Sequence, residues 1–182
     1  MKFFFNKKER KEADTAILDG AYQLHREEDI ARFTRCVEEV FPERAQQFRC
    51  FGADWMGRQF ATDHKRVVNG EPEVALLDPA TKEIFEIPCS YTAFHEIELV
   101  QYPEETVEHT KFKNWLSSGG RRPKYGECVS HTVPLCLGGK DVFSNFEIAD
   151  LEVSWSISGQ ISAQIRDLPA GTSINKVDIS KD

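Results

Sequence analysis

Two short apolar runs, Val74-Ala75-Leu76-Leu77 and Ile84-Phe85-Glu86-Ile87, stand on either side of Asp78-Pro79-Ala80-Thr81. Apolar runs of this length bounded by turn residues predict strands. A proline at the second turn position has its φ already set, so the chain is predicted to double back between them. An antiparallel hairpin therefore constrains everything around it. Strand character also lies upstream, at Phe48, Cys50 and Gly52 through Trp55, and after Gly57 over residues 59–62, with a polar turn at 67–72. The middle of the chain thus predicts an antiparallel meander.

Helical patterns flank it. Ile30, Phe33, Val37, Val40 and Phe41 share one face, Glu27, Glu28 and Asp29 suit the first turn, and Pro42 closes the run. A weaker helix is predicted from Lys11, with Ala13, Ile17, Ala21 and Leu24 at near-helical spacing around Gly20. Downstream, Ser90 is placed to cap a helix carrying Phe94, Ile97 and Val100-Gln101, and Pro103 opens another with Val107, Phe112, Trp115 and Leu116 toward the core, stopped by Gly119-Gly120. Val133, Leu135 and Leu137 alternate with Pro134 and Cys136 as an edge strand does, and Gly138-Gly139-Lys140-Asp141 breaks the run. After Asp150 as N-cap, Val153, Ile157, Ile161 and Ile165 recur every fourth residue beside Trp155, a helical stripe ended by Pro169-Ala170-Gly171, with a last strand predicted over 172–179. Helix, meander, helices, strand, helix, strand is the order of an α+β fold: an antiparallel meander sheet flanked by helices. The predicted organisation is a basic N-terminal tail over residues 1–12 and a single domain over 13–182.

Composition enters as an exclusion. The net charge of −7 argues against nonspecific nucleic-acid or anionic-membrane binding, which needs a basic face, and suits a basic protein partner. Five cysteines, Cys36, Cys50, Cys89, Cys128 and Cys136, are an odd number without a CxxC pair, so a disulfide scaffold is not indicated and a reducing, cytoplasmic setting is expected. The aromatic run Phe3-Phe4-Phe5 is too short for a signal-peptide core, and no later stretch is long enough to span a bilayer.

Chemistry-bearing patterns are sparse. Cys128, His131 and Cys136 supply three zinc-type ligands without a fourth at ordinary spacing, so no metal is assigned. Cys89 and His95 are a thiol and a base near each other only in sequence. Gly138-Gly139 lacks the Lys-Ser/Thr of a phosphate-cradling loop, and nothing implies a cofactor or a catalytic residue. Charge is the stronger signal: residues 71–109 hold ten acids against one base, Lys82. A run of acids is ordinarily a solvated face. The sharper reading is a patch that steers a basic partner, and Glu96, Glu98, Glu104, Glu105 and Glu108 are the residues it nominates.

The run from Cys128 to Ile174 carries Pro134, Leu137-Gly138-Gly139, Asn145, Gly159-Gln160-Ile161 and Leu168-Pro169-Ala170-Gly171-Thr172 in that order. It resembles the C-terminal signature of a bacterial family of immunity proteins associated with type VI secretion effectors. SUKH-type immunity proteins are a neighbouring possibility. The resemblance implies a stoichiometric, noncatalytic inhibitor in the cytoplasm that binds and neutralises a cognate secreted toxin, typically a nuclease. A second reading is a noncatalytic peptide- or protein-binding scaffold in cell regulation. A thiol or metal hydrolase is the third.

Overall fold

Six strands follow one another across a single antiparallel sheet in chain order: β1 (Ala16–Ile17), β2 (Tyr22–Leu24), β3 (Phe48–Asp54), β4 (Gln59–Val68), β5 (Glu71–Asp78) and β6 (Glu83–Ser90). The computed structural model describes residues 16–169, 172, 174 and 176–180, so the predicted tail over 1–12 lies outside the described residues. The meander expected from the sequence is present. β4 turns into β5 through Asn69 and Gly70, both at positive φ (51° and 85°), the two-residue turn whose twist matches that of paired strands. Between β5 and β6, the Asp78 carboxylate accepts the Ala80 and Thr81 N–H groups at 2.8 and 3.3 Å and sets the return of the hairpin.

Each face of the sheet is covered by helices. On one, α1 (Ile30–Val40) and α6 (Leu151–Ile165) lie side by side. Phe33, Cys36, Val37 and Val40 of α1 and Leu151 and Trp155 of α6 pack on Cys50, Ala53, Ala61, Ala75 and Leu77. The small strand residues let the helices approach, while the large side chains come from the helices. On the other face, Tyr22, Phe51, Phe60, Val74 and Leu76 meet Phe94, Leu99, Val107, Phe112 and Trp115 of a helical layer: α2 (Tyr91–Ala93), a π turn (Phe94–Glu98), α3 (Leu99–Gln101), α4 (Pro103–Val107) and α5 (His109–Ser117). A two-stranded ribbon, β7 (Glu127–His131) with β8 (Phe146–Asp150), sits against the β3–β4 turn, where the Val129 N–H donates to the Trp55 carbonyl at 2.7 Å. Two buried tryptophans tie that turn to both helical layers. Trp55 Nε1 donates to the Val107 carbonyl at 2.9 Å, and Trp155 Nε1 to the Gly57 carbonyl at 2.7 Å.

Three local expectations are corrected. Residues 16–24 form β1, a tight turn and β2 rather than a helix, because Leu18 and Asp19 take left-handed φ (52° and 59°) and buried Gln23 donates to the Pro123 and Lys124 carbonyls. The strand of this region is Glu127–His131, not residues 133–137. Pro134 cannot donate to a ladder, and Leu135–Leu137 closes into a single 3-10 turn. The described residues of 172–180 enter no sheet ladder; their backbone is held by α6 instead. The Asp150 cap is as expected, accepting the Val153 N–H at 3.0 Å, and among the described residues no helix is long and apolar enough to cross a membrane.

Candidate protein-binding face

Ser90 starts the helical layer by accepting the Ala93 N–H at 3.3 Å. A regular helix from there would bury Phe94 and Ile97 together. The π turn instead inserts one extra residue, and the next buried side chain after Phe94 is Leu99, five positions on. Ile97 and Val100, predicted as part of this helix, are 43% and 68% exposed, with Tyr91 and Tyr102 at 40% and 47%. One short stretch therefore presents four large apolar side chains to solvent. The Tyr91 ring is already positioned, with centroids 4.9 Å from Phe51 and 4.4 Å from His95, so little rotamer freedom remains to be lost on binding.

The predicted acids divide on this layer. Glu96 and Glu105 are exposed, Glu98 is half-buried, and none of the three enters an ion pair among the described residues. Glu104 is exposed and accepts the Thr110 N–H at 2.8 Å, a bond that holds its carboxyl below the usual range. Glu108 differs. It sits at left-handed φ (50°) between α4 and α5, with its carboxylate 2.7 Å from Arg58 Nη1 and 3.1 Å from Lys111 Nζ. It is the least available of the five to a partner. Behind it, Arg58 Nε contacts the buried Asp54 carboxylate at 2.6 Å, and burial pushes Asp54 up to about 6 despite that cation. Glu73 and Glu86 are likewise committed, both to Arg66.

The residues considered for catalysis form no bonded thiol–base pair among the described residues. Burial pushes the Cys89 thiol up to about 11 and those of Cys36, Cys50 and Cys128 up to about 12, away from the thiolate a nucleophile needs. His95 is bonded to the Tyr22 hydroxyl through Nε2 (3.0 Å) and to the Tyr91 carbonyl through Nδ1 (2.9 Å), not to Cys89. Nδ1 is thus the protonated nitrogen, and Nε2 accepts from Tyr22. Cys128 is in the core whereas Cys136 is exposed, and among the described residues no three His, Cys, Asp or Glu side chains gather as metal ligands do.

The sequence nominated the acids and missed Tyr91, Val100 and Tyr102. Nothing in the apolar spacing announces a π turn, and its one-residue shift decides which side of the helix faces solvent. No protein-family model matches the chain, and no curated protein does. Among solved structures, the crystal structure of Atu4351 from Agrobacterium tumefaciens is similar, with a TM-score of 0.53 and 12% identity over 78% of this chain and 67% of that one. A likeness at that identity concerns the fold.

Proposed function

We propose that this protein is a noncatalytic immunity protein: it binds a cognate secreted bacterial toxin with a basic surface and neutralises it by occlusion. The observation that carries the reading is the helical layer over residues 91–105. Tyr91, Ile97, Val100 and Tyr102 are exposed there along the same stretch as Glu96, Glu98, Glu104 and Glu105, none of which enters an ion pair among the described residues. Apolar anchors surrounded by unpaired like charges give a protein interface its two parts. The anchors supply binding energy once desolvated, and the charges steer a basic partner and reject acidic ones. The ordered resemblance over residues 128–174 supports the same class, and inhibition by occlusion asks for no reactive side chain. Co-expression with the gene next to its own tests the proposal, scoring rescue of growth and a co-purifying stoichiometric complex. The reading fails if rescue persists when Val100 and Tyr102 are changed to Ala and Glu96 and Glu105 to Lys in one chain that keeps its melting curve.

A further inference from the structure

Residues 91–108 carry five acids, Glu96, Glu98, Glu104, Glu105 and Glu108, and no lysine or arginine. Glu96, Glu98 and Glu105 enter no ion pair among the described residues, and Ile97, Val100 and Tyr102 are exposed along the same stretch. Ile97 and Glu96 precede Val100 by three and four positions, the separations at which side chains on a helix are neighbours. Apolar contact and uncompensated negative charge are thus offered together. One segment of this chain supplies the complement of both. Residues 1–12 hold Lys2, Lys7, Lys8, Arg10 and Lys11 against Glu9 and Glu12, with Phe3-Phe4-Phe5 just ahead of the paired bases. That segment is also joined to the chain close by. Ala16 opens β1, Ile17 pairs with Tyr22 of β2, and the Tyr22 hydroxyl donates to His95 Nε2 at 3.0 Å inside the π turn. One strand spacing of about 5 Å and one tyrosine side chain separate β1 from the turn, whereas the chain from Phe5 to Ala16 can span up to about 36 Å.

We propose that residues 1–12 dock on this helical face as its resting occupant. Phe3, Phe4 and Phe5 cover Ile97, Val100 and Tyr102, the bases over 7–11 meet Glu96, Glu98 and Glu105, and a basic partner displaces the segment to bind. The inference rests on the reading of this face as the site of a basic partner, and it adds the regulation of that site. Charge decides against a second copy, since two such faces brought together would set acid against acid. Attachment decides in favour of the chain's own segment. A short tether gives an effective concentration in the millimolar range, so a contact of only millimolar strength covers the face about half the time. A tighter partner clears it, its apparent affinity reduced by the covered fraction.

The test uses the full-length protein, with no toxin present. A water-soluble carbodiimide joins a lysine amine to a carboxylate that it touches, and the links are read by mass spectrometry on an equal mixture of nitrogen-15 and unlabelled chains. Lys7, Lys8 and Lys11 are expected to link to Glu96, Glu98 and Glu105 within one chain. The variant Phe3→Ser/Phe4→Ser/Phe5→Ser keeps every lysine and every acid, and is expected to lose those links by threefold or more. Iodination of Tyr102 should rise by a similar factor in the same variant, with Tyr125, bonded to Asp29 and to the Arg26 N–H, unchanged as the internal control. Links from these lysines to other acids only, or links and Tyr102 iodination that the serine variant leaves as they were, overturn the proposal. So do links that join labelled to unlabelled chains, which would make a second copy's segment the occupant. Any of these failures leaves the immunity reading standing, whereas growth rescue that fails with the links in place would sink that reading and leave the covered face.

Discussion

The carboxamide of Asn145 and the peptide groups of Val133 are bonded in both directions: the Val133 N–H donates to Oδ1 and Nδ2 donates to the Val133 carbonyl, each at 2.9 Å. Nδ2 also donates to the Lys140 carbonyl at 2.9 Å, so one side chain closes the whole loop between β7 and β8. A Cβ on Gly139 would come within 1.8 Å of that same Val133 carbonyl oxygen.

Loop variants should therefore be coupled. Asn145→Ala is expected to lower stability by about 1–3 kcal/mol through its lost hydrogen bonds. Gly139→Ala is expected to cost more than Gly138→Ala: the first must displace a backbone carbonyl, whereas the second has open space and bears only the strain of its left-handed φ (88°), about 1 kcal/mol. Since Gly139→Ala already pushes the carbonyl off Asn145, the double variant with Asn145→Ala should lose less than the two single losses added together. Denaturant melts of the four chains decide this, and strict additivity would show the loop is not one unit.

On the helical face, charge and anchor should separate kinetically. Reversing Glu96, Glu98 and Glu105 to Lys is expected to slow association with a basic partner by about tenfold or more at low salt and to flatten the salt dependence. Val100→Ala and Tyr102→Ala are expected to speed dissociation, weakening binding by about 1–3 kcal/mol each. Glu104→Lys should also lower the melting temperature, because it removes the acceptor for the Thr110 N–H. Surface plasmon resonance at two salt concentrations reads the first two effects and a thermal melt the third, and acid reversals that act only on dissociation would contradict the steering role.

The meander was legible because its signals are local: the Asp78-Pro79 turn, the alternating strands, the Pro42 stop and the Asp150 cap each act within a few residues. Residues 18–24 misled because the apolar spacing of Ile17, Ala21 and Leu24 suits a helix as well as a tight turn, and only the tertiary partners of Gln23, a hundred residues away, decide between them. The acids over 71–108 were visible as a count, but not which of them the fold consumes. Arg58 is distant in sequence from Glu108, and Arg66 meets Glu73 and Glu86 on the next two strands, so the pairings are set by the fold and by strand register. Trp55, Trp115 and Trp155 are all in the core, as large apolar side chains on otherwise ordinary elements usually are.

Acid should act on His25. Its ring is stacked on Phe33 with centroids 4.2 Å apart, and its Nε2 lies 2.6 Å from Gln59 Oε1. Burial lowers it to about 4, against the pull of the Gln59 bond, from an ordinary value near 6.5. Above pH 6.5 both folded and unfolded chains carry it neutral, and its contribution is intact. As pH falls from 6.5 to 4 only the unfolded chain takes the proton, so stability falls by about 1.4 kcal/mol per pH unit and by roughly 3 kcal/mol in all. Asp54, raised to about 6, has the opposite sign over 6 to 3.8 and partly offsets this slope. The difference between the wild type and His25→Gln removes the Asp54 contribution. That difference should shift in favour of the variant on acidification across this window, and parallel curves would place the His25 ring in contact with water.

Glu108 and Glu105 look alike in sequence, three residues apart at the end of one acidic run, yet the structure gives them different work. Arg58 is the reason: its Nε holds the buried Asp54 carboxylate at 2.6 Å while its Nη1 holds Glu108 at 2.7 Å, and Lys111 carries the chain of charges on to Asp141 at 2.8 Å and thence to His131 at 3.1 Å. Replacing Arg58 by Met strands a carboxylate with no exposed side-chain surface, which should cost about 3–5 kcal/mol. Glu108→Gln leaves Arg58 its Asp54 partner and lies at a half-buried position where water screens the charge, so about 1 kcal/mol is expected. Each variant removes one negative charge, paired or not, so both should lower the association rate with a basic partner, and only Glu105→Gln should do so without moving the melting temperature. Thermal melts and association kinetics on this one pair of variants separate a carboxylate that holds the fold from one that faces a partner, and the opposite assignment would follow if Glu108→Gln slowed association at unchanged stability.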